Sequence, residues 1–382
     1  MKTSFFEKSF MKTKIKKDEV TLFPEAGLGY LLGPILALVS NGVVNVWLIQ
    51  YWDKVLMLGQ WAPLFETLLP ILSAIVIIIG NLFVGKLMER KPTLGKARPL
   101  ILIGMPIIAV ALLALFLVPL PEGATWLVGI KQFNGTTSNL IASIVIAVAY
   151  NLYYALAWPL YYTSHSALVN LSTRDEKKRG LLSTCIMAAQ LGAAGLSGMA
   201  GGILVDFIGL LPTYKYTALE GDKIVEKVTT DLSVATQVTE ANPLGAYTMG
   251  ITPDQANSKW VILMIIMVVC LVIGCLLEYF FTRERITEEI VEKNQNAGNE
   301  EVKSISMGEQ IKVKYWWLII VFFFLYQFGG QMKNNDMSFY SIAMTGQSTL
   351  SSIINTVGAI PTALGMIIVW PLANRFTKSK TI

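Results

Sequence analysis

The chain has 382 residues, 53% of them hydrophobic and 15% charged, with a mean hydropathy of +0.54. A soluble domain carries about 25% charged residues, so this balance excludes an ordinary water-soluble protein. The net charge is +5; the single histidine, His165, excludes a multi-histidine metal centre within one chain.

Residues 1–24 are lysine-rich with no apolar core of their own, and 1–27 read as a cytoplasmic N-terminal segment. They show no cleavable signal, so the first membrane span doubles as the insertion signal. A membrane helix needs about 20 apolar residues, and charge-free intervals predict eight. Span one lies between Glu25 and Asp53. Span two runs from about Leu64 to Gly85, and span three lies between Arg98 and Glu122. Span four covers about Ile141 to Leu168. Span five lies between Arg179 and Asp206, and span six between Lys259 and Glu278. Span seven runs from Lys314 to about Lys333, and span eight lies between Asp336 and Arg375. The three cysteines (Cys185, Cys270, Cys275) fall inside apolar runs, which argues against a disulfide framework.

Lysine and arginine crowd the alternate loops. The N-terminus, Lys86–Arg98, STRDEKKRG after span four and the segment after span six are basic, whereas the intervening loops are not. The positive-inside rule then places both termini in the cytoplasm. The loop 211–258 lies outside, as a small cap or a mobile segment. Residues 282–312 are polar and cannot fold alone, so they read as a cytoplasmic linker. The predicted fold is all-α and polytopic: a six-helix bundle over 28–281, the linker, and two helices of a second bundle over 313–382.

Six helices, a linker and further helices is the layout of the major facilitator superfamily. The stretch GKLMERKPTLGKARP resembles that superfamily's loop after helix two, through Gly85, Glu89, Arg90, Gly95, Lys96 and Arg98. Gly85 would let two helices approach closely. Glu89 and the basic residues would pair with one another or with helix ends and hold one face closed. Arg174 and Arg179 of STRDEKKRG join this gating set. So does Arg375 in PLANRFTKSK, which stands at the equivalent place after helix eight with Asn374 where an acid is common.

Several longer blocks narrow the resemblance. EAGLGYLLGP, GKARPLILIG, NLYYALAWPLYYTSHSALVNLSTRDEKKRG, YFFTRERITEE, YWWLIIVFFFLYQFGGQMKNNDMSFY and IPTALGMIIVWPLANRFTK are similar to the glycoside–pentoside–hexuronide:cation symporters, of the melibiose-permease-like type. The resemblance runs in order from Glu25 to about Lys378. It implies secondary active transport of a sugar or glycoside across the plasma membrane by alternating access, coupled to H⁺ or Na⁺. It implies no cofactor, no nucleic acid, a surrounding lipid bilayer and a monomer. Members that bind the cation through helix acids place them on helices one, two and four. The matching positions here are Ala37, Ile77, Asn81 and Ala157. A site without carboxylates would rest on carbonyl and amide oxygens, which bind hard cations less strongly.

Sugar recognition needs amides, hydroxyls and aromatic faces, and polar side chains inside a membrane face the bundle interior or a cavity. Asn41 and Asn45 share a face of span one. Asn151, Tyr154, Trp158 and Tyr161 form a stripe on span four beside Pro159, which is expected to kink the helix. Asn81, Gln190, Gln327, Asn334 and Asn335 complete the candidate substrate set. The competing reading of the stripe is helix–helix packing. His165 lies about ten residues, or roughly 15 Å, from the centre of span four, near its inner end. The motifs of a phosphate loop, His-Glu-x-x-His and Gly-x-Ser-x-Gly are missing, so an enzyme is not expected. Two full halves would need four more helices, about 80 spanning residues. The alternative function is therefore a truncated or degenerate, non-transporting relative of such a symporter.

Overall fold

The computed structural model describes residues 13–17, 19–56, 58, 63–89, 95–118, 126–127, 130–131, 137–220, 223–230, 235, 247–296 and 312–345, with scattered helical residues between 350 and 365. Among the described residues, six helices are long and apolar enough to cross a membrane. They are α1 (Leu22–Val55), α2 (Leu64–Met88), α3 (Arg98–Phe116), α4 (Ile141–Ser172), α5 (Glu176–Ile208) and α6 (Pro253–Phe281). A shorter helix, α7 (Arg285–Asn296), follows, and then α8 (Lys314–Thr345) at the place of span seven. Most of span eight lies outside the described residues.

Helix boundaries carry clear local causes. The Asp175 side chain accepts from the backbone N–H groups of Lys177 and Lys178 and so starts α5. Gly209, at φ +71°, ends it in the left-handed conformation that glycine adopts without strain. Thr252 and Gln255 cap the start of α6 reciprocally, with Pro253 in its first turn. Halfway along α4, residues Leu152–Ala157 wind in wide i→i+5 turns just before Pro159. Proline has no N–H to bond the preceding turn, and wide turns of this kind often mark functional positions.

The helices α1, α3 and α6 pack together, α5 lies against α1, and α4 against α2 and α3. Little hydrophobic driving force exists between helices in lipid, so close backbone approach matters. A Cβ on Gly33 of α1 would stand 3.0 Å from the Gly274 carbonyl oxygen. One on Gly274 would stand 2.6 Å from the Ala37 nitrogen. An aromatic cluster closes the end of the bundle away from the basic loops. Tyr51 donates to the Phe116 carbonyl at 3.0 Å and to Asn257 Oδ1 at 2.6 Å, and Phe116 stacks on Trp260 at 5.5 Å. The Trp260 indole donates to the Leu210 carbonyl at 2.7 Å. On α2, Ile71, Ile75, Ile78, Ile79 and Leu82 are exposed, an apolar face suited to lipid or to neighbouring helices.

Two expectations sharpen here. Part of the loop 211–258 is a β-hairpin, with strands Tyr214–Glu220 and Lys223–Thr229 paired antiparallel and Thr248–Met249 added beside the first. Its last residues, from Pro253, belong to α6. The linker 282–312 begins with α7, which does not stand alone. Arg285 pairs with the buried Glu25, and Arg174 pairs with Glu289. Of that linker, residues 297–311 lie outside the described set.

Candidate functional site

Near the middle of α1 and α4, three of the expected polar residues meet. The Asn45 amide donates to Asn41 Oδ1 at 2.6 Å, and the Tyr154 hydroxyl donates to Asn45 Oδ1 at 3.0 Å. The four-residue spacing puts both asparagines on one face of α1, and the wide turns at Leu152–Ala157 carry Tyr154 toward it. Trp158 stands one turn along, half-buried, stacked against Tyr153 at 6.2 Å and Tyr162 at 5.5 Å. Among the described residues nothing is bonded to the Asn41 amide nitrogen, which keeps two donors. The arrangement is an amide–amide–phenol chain with an aromatic face beside it, the donor set that suits a polyhydroxylated ligand.

The other expected substrate residues are arranged differently. Asn151 bonds the Ala147 carbonyl of its own helix, and its buried Oδ1 has no partner among the described residues. Asn81 is exposed on α2 and bonds the Ile77 carbonyl. Gln190 reaches the Tyr162 hydroxyl at 3.4 Å, and Gln327 is exposed on α8. The side chains of Asn334 and Asn335 lie outside the described residues. Tyr161 does not join the asparagines: it is buried, and its hydroxyl donates to Glu278 Oε2 at 2.9 Å.

The loop between α2 and α3, expected to gate, is built around an acid other than Glu89. Glu89 is an exposed residue at the end of α2. The carboxylate that holds the loop is Glu284, in the turn between α6 and α7. It accepts the backbone N–H of Lys96 at 2.8 Å, Ala97 at 2.9 Å and Arg98 at 2.7 Å. These are donors at the start of α3 that have no partner inside the helix, and negative charge there is also favoured by the helix dipole. Lys96 thus acts through its backbone. Arg98 is buried, donates twice to the Tyr279 carbonyl at 3.1 and 2.8 Å, and covers the Tyr279 ring at 4.7 Å. Gly95, at φ +95°, supplies the left-handed turn that presents these N–H groups. Among the described residues, a Cβ on Gly85, the glycine expected to bring two helices close, would meet nothing within 4 Å. That role falls to Gly80, which abuts the Ala155 carbonyl. Arg174 pairs with Glu289 at 2.9 Å on the surface, and the Arg179 backbone N–H closes the first turn of α5 on Asp175. Arg90 and Arg375 lie outside the described residues.

The same end of α6 holds two further acids that had served only to mark span boundaries. Glu25 is fully buried and pairs with Arg285 at 2.7 and 2.8 Å. Burial would favour the neutral guanidine, but the Glu25 carboxylate outweighs it and raises the Arg285 pKa above the usual arginine value. Glu278 is fully buried as well. It receives Tyr161 and stands 2.7 Å from His165 Nδ1, with His165 also fully buried. The signal for Glu278 was present in the sequence: Tyr279, Phe280 and Phe281 follow it, so the apolar run continues past the acid.

A family model described as MFS/sugar transport protein matches residues 29–382. No curated protein matches the chain.

Proposed function

Because the chain belongs to the MFS/sugar transport protein family, a family of transporters and not of enzymes, we propose that it is a cation-coupled secondary active transporter of a sugar or glycoside. In this reading it works by alternating access in the plasma membrane, as a monomer, with both termini cytoplasmic and the basic loops inside. Its finer kinship is with the glycoside–pentoside–hexuronide:cation symporters. The observation that carries the substrate class is the Asn41–Asn45–Tyr154 chain joining α1 to α4 near mid-helix. Polar side chains at that depth are costly unless they face a cavity or a partner. The open donors of Asn41 and the ring of Trp158 offer a sugar hydroxyl contacts and a hydrophobic ring face.

The geometry supports a division of labour. The mid-helix chain reads the substrate. The Glu284 cap and the Glu25–Arg285 pair tie the basic ends of α1, α3 and α6 into one body, so that this bundle moves as a unit. The test is uptake by proteoliposomes holding the full chain, over a panel of labelled pentoses, hexoses, glycosides and hexuronates. The expected result is saturable counterflow of at least one of them. Equal, non-saturable leakage of the whole panel would overturn the reading.

A further inference from the structure

We propose that Glu278 and His165 form the proton-binding site of this chain, and that the coupling ion of the transport reading above is H⁺. The pair joins α6 to α4 with neither side chain exposed, at 2.7 Å between Oε1 and Nδ1. The chain's only histidine therefore lies against a buried carboxylate. The other carboxylate oxygen accepts the Tyr161 hydroxyl. Among the described residues no lysine or arginine comes within ion-pair distance of Glu278. A buried acid without a fixed cation is neutralised by a proton instead.

The surroundings argue against a metal cation. Both carboxylate oxygens face hydrogen-bond donors, whereas Na⁺-type sites collect several oxygens around the ion. Among the described residues no three acids, cysteines or histidines cluster. Among the described residues nothing is bonded to the buried His165 Nε2. An unsatisfied buried ring nitrogen is destabilising, a penalty that a purely structural histidine has no reason to carry.

The charged and titratable groups around the pair are these. On α4 stand Tyr161 and Tyr162, whose rings lie 5.6 and 6.3 Å from the imidazole. On α1, Tyr30 bonds Ser172 and feels Glu278, and Glu25 is neutralised by Arg285. On α6 itself Cys275 and Tyr279 are nearest, the latter under Arg98 of α3. From α7, Glu288 is held by Arg283 and Glu289 by Arg174. Lys14, Lys16 and Lys17 lie on a strap that crosses the end of α6. Every nearby acid except Glu278 has its own cation or backbone donors.

The step balances simply. A proton carried by hydronium, which leaves as water, bonds to His165 Nε2 while the Nδ1 proton passes to Glu278 Oε1, so that the buried pair goes from net −1 to a neutral imidazole facing a carboxylic acid. Its return to water reverses this. The strap is tied to the turn that follows Glu278: Lys14 N–H and the Thr13 hydroxyl donate to the Phe280 carbonyl, and Arg283 donates to the Ile15 carbonyl. The net −1 pair is costly while dry and favours an opened end; the neutral pair favours the closed one.

Two measurements on the reconstituted full chain test this. In the first, infrared difference spectra between acid and alkaline buffer are compared for wild type, E278Q and H165N. A carboxylic-acid band that E278Q removes and H165N displaces is expected; its persistence in E278Q overturns the proposal, whether or not the chain transports. In the second, an inward proton gradient should drive sugar accumulation in wild type and not in E278Q, whose folding is checked by its thermal midpoint. Accumulation by E278Q at the wild-type level, or driven in wild type by Na⁺ alone, overturns the proposal. Absence of counterflow in wild type would instead count against the sugar reading, leaving the infrared result to decide the proton site.

Discussion

Glu284 caps the helix that begins at Arg98 from 186 residues further along the chain, with its Oε1 2.7 Å from the Arg98 backbone nitrogen. One carboxylate thereby fixes the loop between α2 and α3 to the end of α6. Removing it strands three buried or half-buried N–H groups. E284A should destabilise the purified protein by about 2 kcal/mol, seen as a lowered thermal midpoint in detergent. E89A should stay within about 0.5 kcal/mol of wild type. The reverse order would mean that the loop is held by Glu89.

Arg285 and Glu25 make the second tie. Breaking one side leaves a buried uncompensated charge, so R285Q should cost about 3 kcal/mol or more. The double variant E25Q/R285Q should cost less than R285Q alone, because no charge is then stranded. Thermal unfolding of the three variants gives the coupling; strictly additive losses would contradict the pairing.

The contact of α1 with α6 depends on absent side chains. G274L should force the helices apart at Gly33 and Ala37 and cost about 1–3 kcal/mol. G85A, with open space around it, should leave the thermal midpoint unchanged.

Orientation follows from the basic loops. In a chain whose three cysteines are replaced by alanine, cysteines at Glu89 and Asp175 should react with impermeant maleimide only from the cytoplasmic side. Labelling of either from outside would invert the proposed topology.

Much of this architecture was legible in the amino-acid order. Long charge-free runs have one solution in lipid, since every backbone group must bond inside its own helix. The four-residue spacing of Asn41 and Asn45 fixed their shared face before Tyr154 was seen to join them. What the runs concealed was paired charge. Glu25 and Glu278 read as span ends, yet Leu22–Val55 and Pro253–Phe281 extend beyond them, because each acid is neutralised or hydrogen-bonded within the bundle. The partner of the loop between α2 and α3 was illegible for a different reason. Glu89 is adjacent in sequence, whereas Glu284 is brought to Lys96–Arg98 only by the packing of α3 on α6. Tyr161 looked like its neighbours Tyr154 and Trp158 in spacing; only the fold shows that its hydroxyl is taken by Glu278.

The claim on which the functional account rests is that the Asn41–Asn45–Tyr154 chain reads the sugar. Equilibrium binding of the sugar that the panel identifies, measured on wild type, N45A and Y154F, tests it most directly. Loss of one or two hydrogen bonds should raise Kd by about tenfold, or roughly 1.4 kcal/mol, while thermal midpoints stay near wild type. Wild-type affinity in both variants would contradict the account and return these residues to helix packing.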